Sequence, residues 1–108
     1  MWGKTAHKNK NMILVKLHHS ARSIIACLCD SELIGRKFQD AKHQLDITAR
    51  FYKGDAMPEE KIIPLLKTAG NLNIVGKASI ALAVKAGIIN KASIIKIKTI
   101  PHAQVFRI

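Results

Sequence analysis

The stretch from Asn71 to Gly87, NLNIVGKASIALAVKAG, constrains the fold more than any other part of the chain. It is the longest predominantly apolar run, and Lys77, Ser79 and Lys85 are the polar interruptions in its second half. Its length exceeds that of a typical buried strand, its alanines favour a helix, and its final glycine suits a helix C-terminus. We therefore predict a central helix over residues 71–87, largely buried against a sheet, with Lys77 and Lys85 on its open side.

Strands are predicted on both sides of this helix. Residues 12–19 alternate between apolar and polar side chains, which indicates a half-buried strand. Residues 23–29 are apolar on both faces and predict an inner strand that forms a hairpin with the first. Two more strands are expected near the C-terminus, over residues 93–100 and 103–108, and Pro101 breaks the chain between them.

Two shorter helices are also predicted. The side chain of Asp30 can accept hydrogen bonds from free helix amides, so a helix is expected over residues 30–38. A further helix is expected to begin near Pro58, because proline is favoured in a first helical turn. Pro64 removes an amide inside that helix and is expected to kink or shorten it.

These elements predict an α+β domain with one small mixed or antiparallel sheet, about three helices and the Ala-rich central helix packed on the sheet. Residues 12–108 are assigned to this single domain and residues 1–11 to a basic N-terminal arm. A chain of 108 residues can bury one core but not two. Its apolar runs are too short to span a membrane, and two close cysteines, Cys27 and Cys29, suit free thiols in the cytoplasm.

Charge is distributed unevenly along the chain, whose formal net charge is +11. Residues 1–22 carry five basic residues and no acid, and residues 61–108 carry eight basic residues and no acid. All seven acids fall within residues 23–60. Repulsion among these basic residues does not stabilise a fold. A polyanionic partner explains the excess of positive charge, and nucleic acid is the leading candidate. A solvated lysine face on an ordinary enzyme is the alternative explanation.

The candidate phosphate contacts are the basic side chains of the two acid-free segments. Those near the N-terminus would supply an arm and a strand edge, and those after residue 76 would supply a second surface. The predicted RNA-binding set is Lys4, Lys8, Lys10, Lys16, Arg22, Lys77, Lys85, Lys91, Lys96, Lys98, His102 and Arg107. Contacts of this kind position a protein on RNA without reading its sequence.

Phosphate-loop and zinc patterns are incomplete in this chain. Residues 76–79, GKAS, lack the glycine spacing and the Lys-Ser order of a nucleotide-binding loop, so such a loop is not predicted. The looser hypothesis is that a helix N-terminus near residues 71–76 binds one phosphate. Cys27 and Cys29 lie too far along a hairpin from His18 and His19 for all four to stand about 2.3 Å from one zinc ion. No metal and no cofactor are therefore predicted.

No catalytic residues are predicted either. Cys29 with His102, or Asp30 with a neighbouring acid, would need an orienting group that no spacing in the chain supplies. Phe51 and Tyr52 are adjacent aromatic residues that could stack bases, as single-strand binders do. The favoured alternative places Phe51 in the core and leaves Tyr52 half-exposed.

Four blocks of sequence, in this order, resemble the archaeal domain-of-unknown-function family 424. They are CDSELIGRKF from Cys29, FYKGD from Phe51, NLNIVGKASIALAVKAGII from Asn71 and PHAQVFRI from Pro101. The family positions that the resemblance implies here are Cys29, Asp30, Leu33, Gly35, Phe51, Tyr52, Gly54, Asn71, Gly76, Pro101 and His102. The resemblance carries no activity, but members' genes often lie near translation genes. One departure is that many members have acids where this chain has Lys77 and other lysines.

Charge and resemblance together predict an RNA-binding protein of the archaeal translation apparatus. We expect it to dock in the cytoplasm on ribosomal RNA, beside ribosomal proteins, without a membrane or an obligate small molecule. One alternative is a small enzyme or ligand-binding domain that places Asp30, Asn71 and His102 around a pocket. Another is a protein–protein adaptor within translation, in which the charge serves solubility.

Overall fold

The computed structural model describes residues 12–107, and the predicted basic arm over residues 1–11 lies outside them. The strands are β1 Ile13–His19, β2 Ile24–Asp30, β3 Lys37–Gln39, β4 Gln44–Asp46, β5 Asp55–Ala56, β6 Asn71–Val75, β7 Ile95–Ile97 and β8 Ile100–Phe106. The α-helices are α1 Ala49–Tyr52, α2 Glu59–Thr68 and α3 Lys77–Lys85. Single 3₁₀ turns lie at Ser31–Leu33 and Lys91–Ser93.

Six strands form one mixed sheet in the order β5-β1-β2-β6-β8-β7, and β3 and β4 form a separate antiparallel hairpin. Strands β2 and β6 run parallel, whereas the other neighbours in the six-stranded sheet run antiparallel. The predicted α+β class is confirmed. The prediction of one small sheet is roughly right, and the structure adds the short β3–β4 hairpin.

The predicted N-terminal hairpin is present as β1 and β2. His19 lies opposite Ile24 and Ile13 lies opposite Asp30, so the two strands pair along their full length. Strand β2 lies between β1 and β6, as its two apolar faces predict.

The predicted central helix is wrong over its first residues. Residues 71–75 form β6, because buried apolar side chains alternate there with half-buried asparagines and the strand pairs with β2 and β8. Gly76 then adopts φ 109° and ψ 157°, a region that glycine alone enters readily, and the chain turns into α3. Lys77 and Lys85 are exposed on α3, as predicted.

The predicted helix over residues 30–38 is also wrong. Only Ser31–Leu33 forms a 3₁₀ turn, and the chain then enters β3. Gly35 lies between them with φ +86°, a left-handed conformation that ends a right-handed helix. The Gly35 amide donates to the Ile47 carbonyl at 2.7 Å, which fastens this loop to the residue after β4.

Two prolines are accommodated where a break was expected. Helix α2 continues past Pro64 to Thr68, so the predicted shortening is wrong. Pro64 is exposed, and its carbonyl accepts a hydrogen bond from Thr68 Oγ1 at 3.0 Å. Pro101 lies inside β8 rather than before it, and the turn between the last two strands is made by Lys98, at φ 61°, and Thr99.

The six-stranded sheet separates two apolar cores. Helices α2 and α3 pack on one face, where the core contains Ala26, Leu28, Ile62, Leu66, Leu72, Ile74, Ile80, Leu82, Ala83 and Ala103. The β3–β4 hairpin and α1 pack on the other face, where the core contains Cys27, Cys29, Leu33, Leu45, Ile47, Tyr52, Val75 and Ile97. Within residues 12–107, no helix has the length and apolarity needed to cross a membrane.

Replacing Gly76 by alanine is predicted to destabilise the protein strongly. A Cβ atom at residue 76 would overlap the Asp30 carboxyl group, and the backbone conformation itself costs alanine about 1–3 kcal/mol. Gly87→Ala is the matched control, because Gly87 also has positive φ but has open space around its Cβ position. Urea unfolding should show a larger loss for Gly76→Ala than for Gly87→Ala, and equal losses would contradict the overlap.

Candidate functional site

Asp30 ends strand β2 and reaches the first turn of α3. Its Oδ2 accepts from the Ala78 amide at 2.9 Å, and its Oδ1 accepts from the Ser79 amide at 2.8 Å and from Ser79 Oγ at 2.7 Å. The carboxylate is 4% exposed, and it lies where the helix dipole and free amides stabilise negative charge. The helix N-terminus that the sequence offered to a phosphate is therefore occupied by the chain's own carboxylate. Asp30 caps α3, not a helix over residues 30–38.

Gly76 and Pro101 complete this junction. The Gly76 amide donates to the Pro101 carbonyl at 3.0 Å, which is the last link between β6 and β8. The Gly76 carbonyl accepts from the Ile80 amide at 2.9 Å and so belongs to the helix. Residue 101 therefore has no carbonyl on β6 to bond, and proline, which lacks an amide hydrogen, fits there without loss.

The two cysteines are buried thiols in the second core. Burial raises the pKa of Cys27 to about 12, and burial with the nearby Asp30 charge does the same for Cys29. Thiols with pKa values this high stay protonated at neutral pH and are poor nucleophiles. The β1–β2 register places Lys16, not a histidine, opposite Cys27, and no group of three metal-binding side chains occurs within residues 12–107.

The aromatic pair lies on α1 and is oriented opposite to the prediction. Tyr52 is buried and its hydroxyl donates to Asn73 Oδ1 at 2.9 Å, whereas Phe51 is only half-buried. Burial raises the pKa of Tyr52 well above its ordinary value. Phe51 stacks on His18 with ring centroids 4.5 Å apart, and His18 Nε2 lies 2.9 Å from the Phe51 carbonyl. Residue 54, just after α1, has to be glycine, because a Cβ atom there would overlap the Val15 backbone.

The imidazole ring of His102, on β8, makes one hydrogen bond to residues 12–107. Its Nδ1 lies 3.0 Å from the Ile74 carbonyl, and because a carbonyl only accepts, Nδ1 carries the proton. Burial, and to a smaller extent the charge of His43, lowers the pKa of His102 despite that bond. At neutral pH the ring is therefore uncharged, and its Nε2 is an acceptor that receives no hydrogen bond from residues 12–107. A neutral ring adds no Coulombic attraction for a phosphate.

Part of the sheet face opposite α2 and α3 is uncovered. The β3–β4 hairpin and α1 cover the β2 end of this face, while strand alternation and register bring side chains of β6, β7 and β8 together beyond them. We call Asn73, Ile95, His102, Gln104 and Phe106 the open face. Phe106 is 74% exposed and Ile95 is 40% exposed, and both line a cavity of about 230 Å³ with His102 and Gln104.

The predicted basic residues do not converge on one point. Lys4, Lys8 and Lys10 lie outside the described residues. Lys77 and Lys85 lie on α3, and Lys85 Nζ is 3.0 Å from Glu59 Oε1. Lys91, Lys96 and Lys98, the β7-edge lysines, are exposed along the last strand of the sheet and its flanking turns.

Three further predicted contacts lie around the sheet ends. Lys16 is half-buried on β1, and Arg22 is exposed in the β1–β2 turn. Arg107 follows β8, and its Nη1 donates to the Ala69 carbonyl at 2.7 Å. Arg22 and Arg107 lie at the sheet end where Phe106 is exposed, because β2 and β6 begin where β8 ends.

The three residues of the enzyme alternative are not neighbours. Asp30 is at the carboxyl end of β2 on the helix-covered face, whereas Asn71 begins β6 on the opposite face. Asn71 lies opposite Ile25, five residues before Asp30 on β2, so Asn71 and Asp30 are about 16 Å apart along the strand direction, at roughly 3.3 Å per residue. His102 lines the 230 Å³ cavity with neither of them. The structure therefore brings no catalytic set together from these positions.

Comparison with known proteins places the chain in a family. A family model described as "Protein of unknown function (DUF424)" matches residues 18–108. The chain belongs to that family. A crystal structure of an uncharacterized conserved protein from Methanopyrus kandleri resembles it with a TM-score of 0.73, at 24% identity over 86% of this chain and 89% of that chain. That likeness concerns the fold, and no curated protein matches the chain.

Five of the positions that the resemblance implied as characteristic of the family have different surroundings in this structure. Asp30, Gly76 and Pro101 form the junction at the start of α3, and Gly54 permits a close backbone approach, so these positions are explained by folding. His102 borders the open face instead. The sequence interpretation missed Asn73, Gln104 and Phe106. The signal for them was the alternation within residues 102–106, which places every second side chain on one face.

Removing the Asp30 carboxylate is predicted to destabilise the protein. Asp30→Ala leaves two amides of α3 and a buried hydroxyl without an acceptor, a loss of about 1–3 kcal/mol. Glu32→Ala, two residues away, is the control, because the exposed Glu32 side chain should contribute less than about 0.5 kcal/mol. Thermal or urea unfolding measures both, and similar losses would contradict the long-range cap.

The free energy of unfolding is also predicted to decrease as the pH falls, because of His102. Because folding lowers the pKa of His102, the unfolded chain takes up a proton first as the pH falls. The contribution of the neutral ring is therefore complete above pH about 6.5 and is lost progressively below it. His102→Gln should flatten the pH 5–7 dependence of the unfolding free energy, measured by urea unfolding at a series of pH values, and an unchanged dependence would contradict this role.

Proposed function

We propose that this protein binds RNA through phosphate contacts, with ribosomal RNA in the archaeal translation apparatus as its target. The observation that carries the proposal is the separation of charge in three dimensions. Every element from β6 to β8, including α3, comes from an acid-free segment that supplies half of the six-stranded sheet. Exposed basic side chains concentrated in one part of a fold are typical of a nucleic-acid interface.

The β7-edge lysines are the best-placed phosphate contacts in this half. They are exposed, and no ion pair joins them to any acid of residues 12–107. Asp40 of the β3–β4 hairpin borders a cavity with Lys96, but its carboxylate is engaged by His43 at 3.4 Å and by the Lys42 and His43 amides. Lys85 is weaker as a phosphate contact, because Glu59 already neutralises it.

A charge-reversal pair tests this assignment. The double variant Lys91→Glu, Lys96→Glu should weaken binding to a structured ribosomal RNA fragment. The slope of log affinity plotted against log salt concentration should become shallower by about 1.5, because two phosphate contacts are lost. The control pair is Lys61→Glu with Lys67→Glu, which makes the same charge change on exposed positions of α2. Fluorescence anisotropy over a salt series gives both slopes. Equal effects of the two pairs would sink the β7-edge assignment.

A protein-binding adaptor is the second candidate, and one cavity favours it. An apolar groove of about 620 Å³ lies between α3 and the segment around β5, lined by Met12, Met57, Pro58, Ala81 and Leu82 among others. Contact with an apolar protein surface should survive high salt, whereas phosphate contacts should not. Retention of a ribosomal partner in about 1 M salt would therefore favour the adaptor.

A further inference from the structure

The open face combines an exposed aromatic ring with side chains that can hydrogen-bond in a plane. Phe106 is the most exposed large apolar residue among those described, and Ile95, which lies on β7 opposite His102, lines the same cavity. Gln104, between His102 and Phe106 on the same strand face, is exposed and offers both a donor and an acceptor. An exposed aromatic residue next to amide groups on a sheet is how many proteins hold unpaired bases.

Two polar atoms on this face lack partners within residues 12–107. Asn73 Oδ1 is fixed by the Tyr52 hydroxyl at 2.9 Å, so its Nδ2 hydrogens remain available as donors. His102 is 8% exposed, its Nδ1 is committed to Ile74, and its Nε2 is left as an acceptor at the cavity. A buried acceptor without a partner is costly, and a ligand donor would satisfy it.

Charge around the open face suits a phosphodiester chain. Lys91 lies in the turn that leads to Ser93 at the cavity, and Lys96 lies on the edge strand. The neighbouring groups from the β3–β4 hairpin are His43, whose charge reaches His102, and Asp40, which is held by His43. The cavity of about 230 Å³ is smaller than the roughly 300–1,000 Å³ of pockets for drug-sized ligands, so it suits one base rather than a whole cofactor.

We infer that the open face binds an unpaired base of single-stranded RNA, with the ring of Phe106 stacked on that base. The Gln104 amide and His102 Nε2, which line the cavity, supply donors and acceptors to the base edge. The β7-edge lysines contact the neighbouring phosphates. This inference rests on the proposed RNA binding and specifies the form of RNA recognised.

The test compares three probes: an oligouridylate of about eight nucleotides, an abasic phosphodiester of equal length and a blunt RNA duplex. Wild-type protein should bind the oligouridylate more tightly than the abasic chain. Phe106→Ala should weaken oligouridylate binding by roughly tenfold or more, the size expected for one stacking aromatic residue, and leave abasic binding and the salt slope unchanged. Phe106→Trp should retain the preference for bases.

Ile24→Ala is the matched control for loss of an exposed apolar side chain. Ile24 is 38% exposed at the same end of the sheet, but it alternates with Ile25 and so lies on the opposite face. It should leave binding of all three probes unchanged. Gln104→Ala should weaken oligouridylate binding and leave abasic binding unchanged, because Gln104 contacts the base edge and not the phosphates.

The outcomes separate this inference from the proposed function. Salt-dependent binding of the duplex and the abasic chain, with no effect of Phe106→Ala, would overturn the base site and leave phosphate-driven RNA binding standing. No binding of any probe at low salt would overturn both. A wild-type dimer in sedimentation velocity that Phe106→Ala converts to a monomer, with unchanged oligouridylate affinity, would assign the open face to a second copy of the chain instead.

Discussion

The carboxylate of Asp30 ties together parts of the chain that local sequence does not connect. It ends β2, yet it accepts three hydrogen bonds from the first turn of α3, which follows β6. The parallel pairing of β2 and β6 brings these ends together, and Gly76 must be glycine because a side chain would occupy the carboxylate's position. The position of α3 over the sheet, and so the first core, depends on this contact. The carboxylate also occupies the N-terminus of α3, which the sequence offered to a phosphate.

The elements that the sequence predicted correctly are those marked by an alternation of apolar and polar side chains. The β1–β2 hairpin and the inner position of β2 follow from apolar patterning, and the α+β class follows from strands flanking helices. The segment over residues 71–87 was misassigned because a buried strand joined to an apolar helix has no polar boundary. Gly76 was the boundary, but its role depends on Asp30, which is 46 residues earlier in the chain. Long-range contacts of this kind leave no periodic signal.

The candidate site was predicted unevenly for the same reason. Exposed lysines were found from charge alone, because charge distribution is visible in sequence. The open face was not found, since it needs the register of three strands and the knowledge that the β3–β4 hairpin covers only one end of the sheet. Tyr52 and Phe51 exchanged their predicted roles because the four-residue helix α1 turns Tyr52, and not Phe51, into the core.

The two sheet faces therefore have different tasks in this account. One face is filled by α2 and α3 and supplies stability, and its polar residue Asp30 is fully bonded. The other face is closed at the β2 end by buried thiols and Tyr52. It is open at β6, β8 and β7, where side chains are exposed and where His102 Nε2 and Asn73 Nδ2 have no hydrogen-bond partner within residues 12–107. An acid-free lysine edge borders that opening.

The central claim, attachment to RNA through phosphates, is tested most directly by sedimenting native cell extract through a gradient at low and then high salt and probing for this protein. The account predicts co-migration with one ribosomal subunit at low salt and progressive release as salt rises. If six phosphates are engaged, affinity should fall by about the fifth power of the salt concentration. A protein that remains at the top of the gradient even at low salt would contradict the account.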